Sequence, residues 1–300
     1  MTIEKVTLGC DPEWGILNEH GNIVRPDEVI SNELNEQFGI DGSERVAELR
    51  PTYTNNPRGL VKNIRALLQE GLNVNPVLAN YRWKAGSMVD DEPIGGHVHL
   101  GHKALIFGEG MRNNKKVSQL TTTLIRIVSP LMLMAEDKEE AIARRVGTGY
   151  GSLKGGNCIR EQAYGVEYRT LPSWLTSPED ALSVLSLVHL CAVNINNDRF
   201  LDTACSLPEI EDEAFTDCNK KVASYYLGGI AKALKTAEGF TDYLPDMQHL
   251  FNLIIDRKEF NTNQDMKDSW GLKMPDAATV AKAVATVKVG NDSDDEDEDE

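Results

Sequence analysis

Three things are scarce in this chain of 300 residues. Cysteine is the first. Cys10, Cys158, Cys191, Cys205 and Cys218 are odd in number, irregularly spaced and without a CxxC pair. This argues against a disulfide framework and a cysteine-based zinc site, and fits a reducing cytoplasm. Positive charge is the second. Against 31 Lys and Arg stand 47 Asp and Glu, a net charge of −16. A chain with that balance has no global basic field to hold duplex nucleic acid. Eight of the acids fall in the last nine residues, Asp292 to Glu300, and without them the body still carries −8. Long apolar runs are the third. The richest, Leu124 to Ala135, is interrupted by Arg126, Ser129 and Pro130 and is too short to span a bilayer. The opening MTIEKVTLGCDPEW lacks the apolar stretch of a signal peptide. The expectation is a soluble, cytoplasmic protein with neither a membrane nor duplex nucleic acid as partner. Hydrophobic residues at 41% and charged residues at 26% exclude a mostly disordered or collagen-like chain.

Organisation follows from local patterns. Lys5 to Cys10 and Trp14 to Leu17 read as extended runs, Asn18 to Asn22 as a turn with Ile23-Val24 returning, and Val46 to Arg50 as a strand stopped by Pro51. A helix follows, capped by Asn56, with Pro57 in its first turn and Gly71 as its expected end. Its Leu60, Val61, Ile64, Leu67 and Leu68 form one apolar stripe. Gly95 to Gly101 is a strand between glycines. Val117 to Met134 is an apolar helix kinked at Pro130. Gly147 to Gly156 is a glycine-rich loop that lacks the GxxxxGK(S/T) phosphate-loop spacing and is expected to act as a flap. Gly165 to Leu171 is a strand, and Ser177 caps a buried helix beginning at Pro178. Beyond about residue 200 the signals are helical, over 220–235, 245–255 and 275–287. The fold class is α+β, with a sheet from the first 170 residues, a single domain over 1–290 and a disordered acidic tail at 291–300.

The chemistry lies in a recurring pattern of two ligand-type residues flanking one other. Asp11 and Glu13 flank Pro12, Glu48 and Arg50 flank Leu49, His97 and His99 flank Val98, and Glu167 and Arg169 flank Tyr168. Side chains alternate across a strand, so each pair points to one face. Each Glu-x-Arg pair alone reads as a solvated pair on an exposed sheet face, and Asp11-Pro12-Glu13 alone as a strand-ending turn. His-x-His is more telling, because the chain has only six His. Were the four strands to share a sheet, one face would carry four carboxylates, two imidazoles and two guanidiniums. Carboxylates with imidazoles suit Mg²⁺ or Mn²⁺, and arginines beside a metal suit phosphate. Metal plus arginine is the equipment of phosphoryl transfer. His189 reads as a core histidine, and neither a GxSxG elbow nor a cysteine-nucleophile motif occurs.

GCDPEW at 9–14, DGSERVAELRP at 41–51, GGHVHLG at 95–101, Arg145 with the Tyr-Gly at 150–151, Arg160, and YGVEYRTLPSW at 164–174 resemble the phage-type carboxylate–amine ligases. These are amidoligases of the glutamine synthetase and γ-glutamylcysteine synthetase superfamily. The resemblance covers about residues 5–190. It implies a curved antiparallel sheet backed by helices, with ATP and divalent ions in its funnel. It implies Glu13, Glu48, His97 and Glu167 as metal ligands, and Asp11 as a ligand or directly behind one. His99 falls to the nucleotide or a metal, and Arg50, Arg145, Arg160 and Arg169 to phosphate or a substrate carboxylate. The implied reaction turns a carboxylate into an acyl phosphate that an amine displaces, the carboxylate and amine being small molecules or peptides. Two other readings stand beside it. One is an amidohydrolase-type metal hydrolase using His97 and His99. The other is a noncatalytic phage interaction protein.

Overall fold

The computed structural model describes residues 5–30, 34, 37–40, 44–106, 115–151, 153 and 158–292. Three expectations fall wholly or partly outside these residues: the acidic tail at 293–300, the start of the 41–51 motif, and part of the 147–156 loop.

The long strand β1 (Thr7–Leu17) organises the sheet. The two extended runs on either side of Pro12 are one strand. The lost N–H of Pro12 leaves nothing unpaired on its register partner Gly96, whose carbonyl accepts from the Trp174 indole N–H at 2.8 Å and whose N–H donates to the Leu171 carbonyl, and the ladder changes hands there. Before that point β1 pairs with β8 (Gly96–Gly101). After it, β1 pairs with β4 (Ala47–Leu49), β5 (Arg82–Lys84) and β2 (Ile23–Val24). A fourth short strand, β3 (Phe38–Ile40), edges β4. On the far side β10 (Gly165–Tyr168) joins β8, and β9 (Ile159–Gln162) joins β10, giving the order β3-β4-β1-β8-β10-β9 with every pair antiparallel. A separate two-stranded hairpin pairs β6 (Met88–Val89) with β7 (Glu92–Pro93).

One face of this sheet is the core. Leu8, Val98, Leu100, Val166 and Tyr168 are fully buried in one hydrophobic cluster with residues of the Pro178–Val193 helix. Tyr168 hydroxyl meets Ser129 Oγ at 2.9 Å, which ties the sheet to the Lys115–Ala135 helix. That helix is 21 residues long, enough to cross a bilayer by length and composition, which corrects the expectation from the shorter run. Its apolarity is explained by burial: it packs through Leu120, Leu124, Ile127, Val128 and Leu131 into the same core. A π-helical turn, Leu124–Val128, precedes Pro130 and accommodates the proline that cannot donate to the previous turn.

Asn56 caps the Pro57–Val74 helix by accepting from the Gly59 N–H at 2.7 Å. Gly71 does not end this helix. It lies inside it, where an added Cβ would come within 2.3 Å of the Phe38 ring, so its role is close packing. Phe38, Trp14 and Trp83 form an aromatic cluster with ring centroids 5.1–6.1 Å apart. In the last third, the expected 220–235 helix is two, Lys220–Ser224 and Leu227–Leu234. Pro245 sits inside the Phe240–Asp256 helix rather than opening it, and the final helix runs Ala277–Asp292.

Candidate active site

The other face of the sheet gathers the polar pairs, and strand register explains how. Asp11 stands opposite His97, Glu13 opposite Glu48, His99 opposite Glu167, and Glu167 opposite Arg160. Four short sequence motifs far apart in the chain thus become adjacent rungs. Glu13, Glu48, His97 and Glu167 are buried, Glu167 completely. Like charges directly opposed, as in Glu13–Glu48, weaken a sheet unless something positive lies between or beside them.

At the centre, Asp11 Oδ1 lies 3.0 Å from His99 Nε2 and 3.5 Å from His97 Nδ1. His97 Nδ1 is also 3.6 Å from Glu167 Oε1. Asp11, His99 and Glu167 each bring one ligand-type atom within 4.8 Å of the others. Those three atoms, Asp11 Oδ1, His99 Nε2 and Glu167 Oε1, are buried and none makes a hydrogen bond of proper geometry. Buried oxygens and nitrogens that converge on one point outside regular hydrogen bonds are a donor set that could hold a cation. Burial raises the Asp11 carboxyl, but the two imidazoles more than offset this and hold it below the ordinary carboxylate range.

Glu167 is gripped from the opposite side. Arg160 Nε and Gln162 Nε2 each donate to Oε2 at 2.6 Å, and Arg169 Nε is 3.1 Å from Oε1. Arg50 pairs with Glu48. Arg50, Arg160 and Arg169 remain partly exposed beside these carboxylates. A cavity of about 680 Å³ adjoins the cluster, lined by Gly9, Asp11, Arg50, Tyr53, His99 and Tyr164. A larger one of about 1050 Å³, lined by His102, Asn197, Glu238 and Tyr243 among others, contains none of these groups, so the chemistry points to the smaller.

Among the candidate arginines, Arg145 is the one that the structure does not bring to this face. It is buried in an ion pair with Glu136, donates to the Phe215 carbonyl at 3.2 Å and lies 4.1 Å over the Phe215 ring. Its neighbour Arg144 points the other way along the same π-helical turn, since adjacent residues of a helix diverge. Arg144 is fully buried, donates to the Thr170 and Leu171 carbonyls and sits 4.9 Å from the Tyr150 ring.

Motif reading passes over Gln162, and it includes Tyr150 in the Tyr-Gly at 150–151 without giving it a role. Tyr150 hydroxyl is 3.0 Å from Glu13 Oε1 and 2.8 Å from His97 Nε2, and burial together with Glu13 keeps the phenol protonated. Its signal was an aromatic residue between Gly149 and Gly151, both at positive φ. Gln162 repeats the alternating pattern two residues after Arg160. Tyr164 hydroxyl meets His99 Nδ1, with the two rings stacked at 5.7 Å. All five cysteines are free; Cys10, beside the cluster, is held protonated by burial and by Asp11 and Glu48.

Similarity to known proteins agrees with this geometry. Among curated proteins none matches. Among solved structures, the ligase PafA in complex with the prokaryotic ubiquitin-like protein Pup superposes with a TM-score of 0.54 at 9% identity, over 84% of this chain and 65% of that one. A glutamate–cysteine ligase from Francisella tularensis, in complex with AMP, gives 0.50 at 12% identity over 99% and 96%. GmaS without ligand gives 0.50 at 9% identity over 84% and 70%. These likenesses establish the fold: an α+β, glutamine synthetase-like antiparallel sheet backed by helices. The family described as phage phiEco32-like COOH.NH2 ligase-type 2 matches residues 8–272, a span that holds every residue of the polar face, and the chain belongs to that family of carboxylate–amine ligases.

Proposed function

We propose that this sheet face joins a carboxylate to an amine at the expense of ATP, through an acyl phosphate. The observation that carries the reading is Glu167. It is a wholly buried carboxylate whose Oε2 accepts from Arg160 and Gln162 and whose Oε1 is shared between Arg169 and the cluster of Asp11 and two imidazoles. A structural ion pair needs no such convergence, whereas phosphoryl transfer needs both a cation and guanidiniums in one place. An antiparallel sheet with His97 and His99 on an inner strand also differs from a parallel barrel, which disfavours the amidohydrolase reading.

Asp11 Oδ1, Glu167 Oε1, His97 Nδ1 and His99 Nε2 are the atoms that would hold a divalent ion, and two carboxylate oxygens with two imidazole nitrogens, flanked by the further carboxylates Glu13 and Glu48, suit Mn²⁺ or Mg²⁺. Glu13 and Glu48, opposed across β1 and β4, are the natural second cation position. Such ions neutralise charge on the transferring phosphoryl group. Arg50, Arg160 and Arg169 face phosphate oxygens or the substrate carboxylate, each through a guanidinium suited to a two-pronged contact. The 680 Å³ cavity takes the nucleotide, with Tyr53 and Tyr164 offering ring faces to a base and His99 and Arg50 close to its phosphates.

Chemically, a substrate carboxylate oxygen attacks the γ-phosphorus and ADP departs. The amine then attacks the acyl carbon, phosphate departs, and the surplus proton of the amine passes to a carboxylate of the site. The substrates are a small-molecule or peptide carboxylate and amine, and the catalytic unit, expected over 1–290, extends to the end of the final helix at Asp292, with the acidic residues after it as an appended tail. Mixtures of carboxylates and amines with Mg²⁺ and ATP, read by mass spectrometry for loss of water, test the reading. ADP and phosphate release that requires both substrates supports it. Hydrolysis without ATP would restore the hydrolase, and inertness across the panel together with no ATP binding would favour the noncatalytic interaction protein.

A further inference from the structure

We propose that Tyr150 sets the tautomer of His97 so that the ring turns a lone pair at Nδ1 toward Asp11 and Glu167. The inference rests on reading that point as a cation site, and adds a residue that positions one of its ligands.

The argument is a proton count. The phenol carries one proton and has two neighbours, Glu13 Oε1 at 3.0 Å and His97 Nε2 at 2.8 Å. The Glu13 carboxylate can only accept, and its other oxygen already accepts the Gly95 N–H at 2.6 Å. The phenol proton therefore goes to Glu13, and the phenol oxygen presents a lone pair to Nε2. A good contact at 2.8 Å then requires Nε2 to carry the ring's hydrogen. A neutral imidazole has one N–H, so Nδ1 is left as an acceptor, 3.5 Å from Asp11 Oδ1 and 3.6 Å from Glu167 Oε1. The reverse orientation would leave Glu13 Oε1 facing a phenol lone pair and would place an N–H where a cation must sit.

The surroundings are shaped for this relay. An added Cβ at Gly95 would fall 2.8 Å from the Tyr150 hydroxyl and 2.9 Å from His97 Nε2, so only glycine leaves the contact room. Gly151, at φ +76°, lets Arg144 reach the Tyr150 ring, since a Cβ there would lie 2.2 Å from Arg144 Nη1. The fully buried Arg144 is itself pinned by two carbonyls. Tyr164 differs: its hydroxyl meets His99 Nδ1, with no carboxylate behind it among the described residues to fix the direction of the bond. Ligand imidazoles are commonly oriented through their second nitrogen, and losing that partner costs about 10–100-fold in metal affinity.

Nitrogen-15 NMR of the cation-free full chain reads the tautomer of neutral His97 directly, and titration with Mn²⁺ alone reads the consequence. The expected results are an Nε2–H ring in the wild type, Nδ1–H character appearing in Tyr150→Phe, and Mn²⁺ binding weaker by about 10–100-fold in that variant. Tyr164→Phe should leave the His97 tautomer unchanged. A wild-type His97 protonated at Nδ1 would overturn the proposal whether or not any variant folds. So would a folded Tyr150→Phe that keeps both the Nε2–H ring and full affinity. If the wild type shows the Nε2–H ring yet binds no Mn²⁺, the cation-site reading fails and the tautomer assignment stands.

Discussion

The two faces of the β1–β8–β10 sheet are built from alternating residues of the same strands, yet they follow opposite rules. On one, Leu8, Val98, Leu100, Val166 and Tyr168 are buried against helices, and each contributes stability in proportion to the apolar surface removed from water. On the other, Glu13, His97 and Glu167 are almost as buried but polar. Burying a carboxylate costs several kcal/mol unless charge and hydrogen bonds compensate. The first face holds the sheet together, and the second is held by it. Substitutions on the two faces should therefore fail in different assays.

The largest expected effects are on the polar face. Glu167→Gln removes the charge that faces Asp11 and the imidazoles and frees Arg160 and Arg169 from their partner. Metal-dependent ATP binding should weaken and turnover should vanish. Arg169→Lys keeps the charge but loses the two-pronged geometry, so nucleotide binding should survive while amide formation falls by roughly 10²–10³. Steady-state ADP release with nucleotide titrations measures both, and wild-type rates in both would remove β10 from the site.

Arg145 and Arg144 sharpen the contrast within one helical turn. Arg145→Met strands the buried Glu136 carboxylate and should cost about 3–5 kcal/mol in urea unfolding. Its kcat at a temperature where it stays folded should be near wild type, because among the described residues Arg145 pairs with Glu136 and Phe215 and with no residue of the polar face. A selective loss of rate would return it to the site.

On the apolar face, Leu100→Ala should destabilise by about 2–5 kcal/mol with little change in nucleotide affinity, as a core cavity does. Equilibrium unfolding and ATP titration on one sample would show it. The smallest effect concerns His249, which donates to Asp180 at 2.9 Å. That hydrogen bond raises its pKa above the ordinary histidine value. A raised folded pKa gives stability that is complete below the unfolded value and is lost as pH rises through the folded one. His249→Asn should therefore melt below wild type at about pH 5.5 and close to it at about pH 9. An offset independent of pH would contradict this.

Much of this was legible in the sequence because strand alternation is local. Spacing alone says that the two members of each pair, at 11–13, 48–50, 97–99 and 167–169, point the same way. Register was not legible: nothing local says that Glu13 meets Glu48 or that Asp11 meets His97, since those pairings are made across long stretches of chain. The Gly71 and Pro245 expectations failed for a related reason. Each residue type does break helices, but Gly71 is fixed by contact with Phe38. Pro245 stands in the second turn of a helix begun at Phe240, where the loss of one N–H is outweighed by the burial of Met247, Leu250 and Ile254 farther along. Arg145 was misjudged because a helix sends neighbouring arginines apart, and which of the two faces the sheet depends on the π turn that carries them.

The central claim is that the buried acids and imidazoles form a cation-dependent nucleotide site, and calorimetry of ATP binding with Mg²⁺ and in EDTA tests it most directly. The account predicts binding with Mg²⁺ that is lost in EDTA and is weakened in Glu167→Gln. Equal affinity in both buffers, or a Glu167→Gln protein that binds Mg²⁺-ATP like wild type, would contradict it.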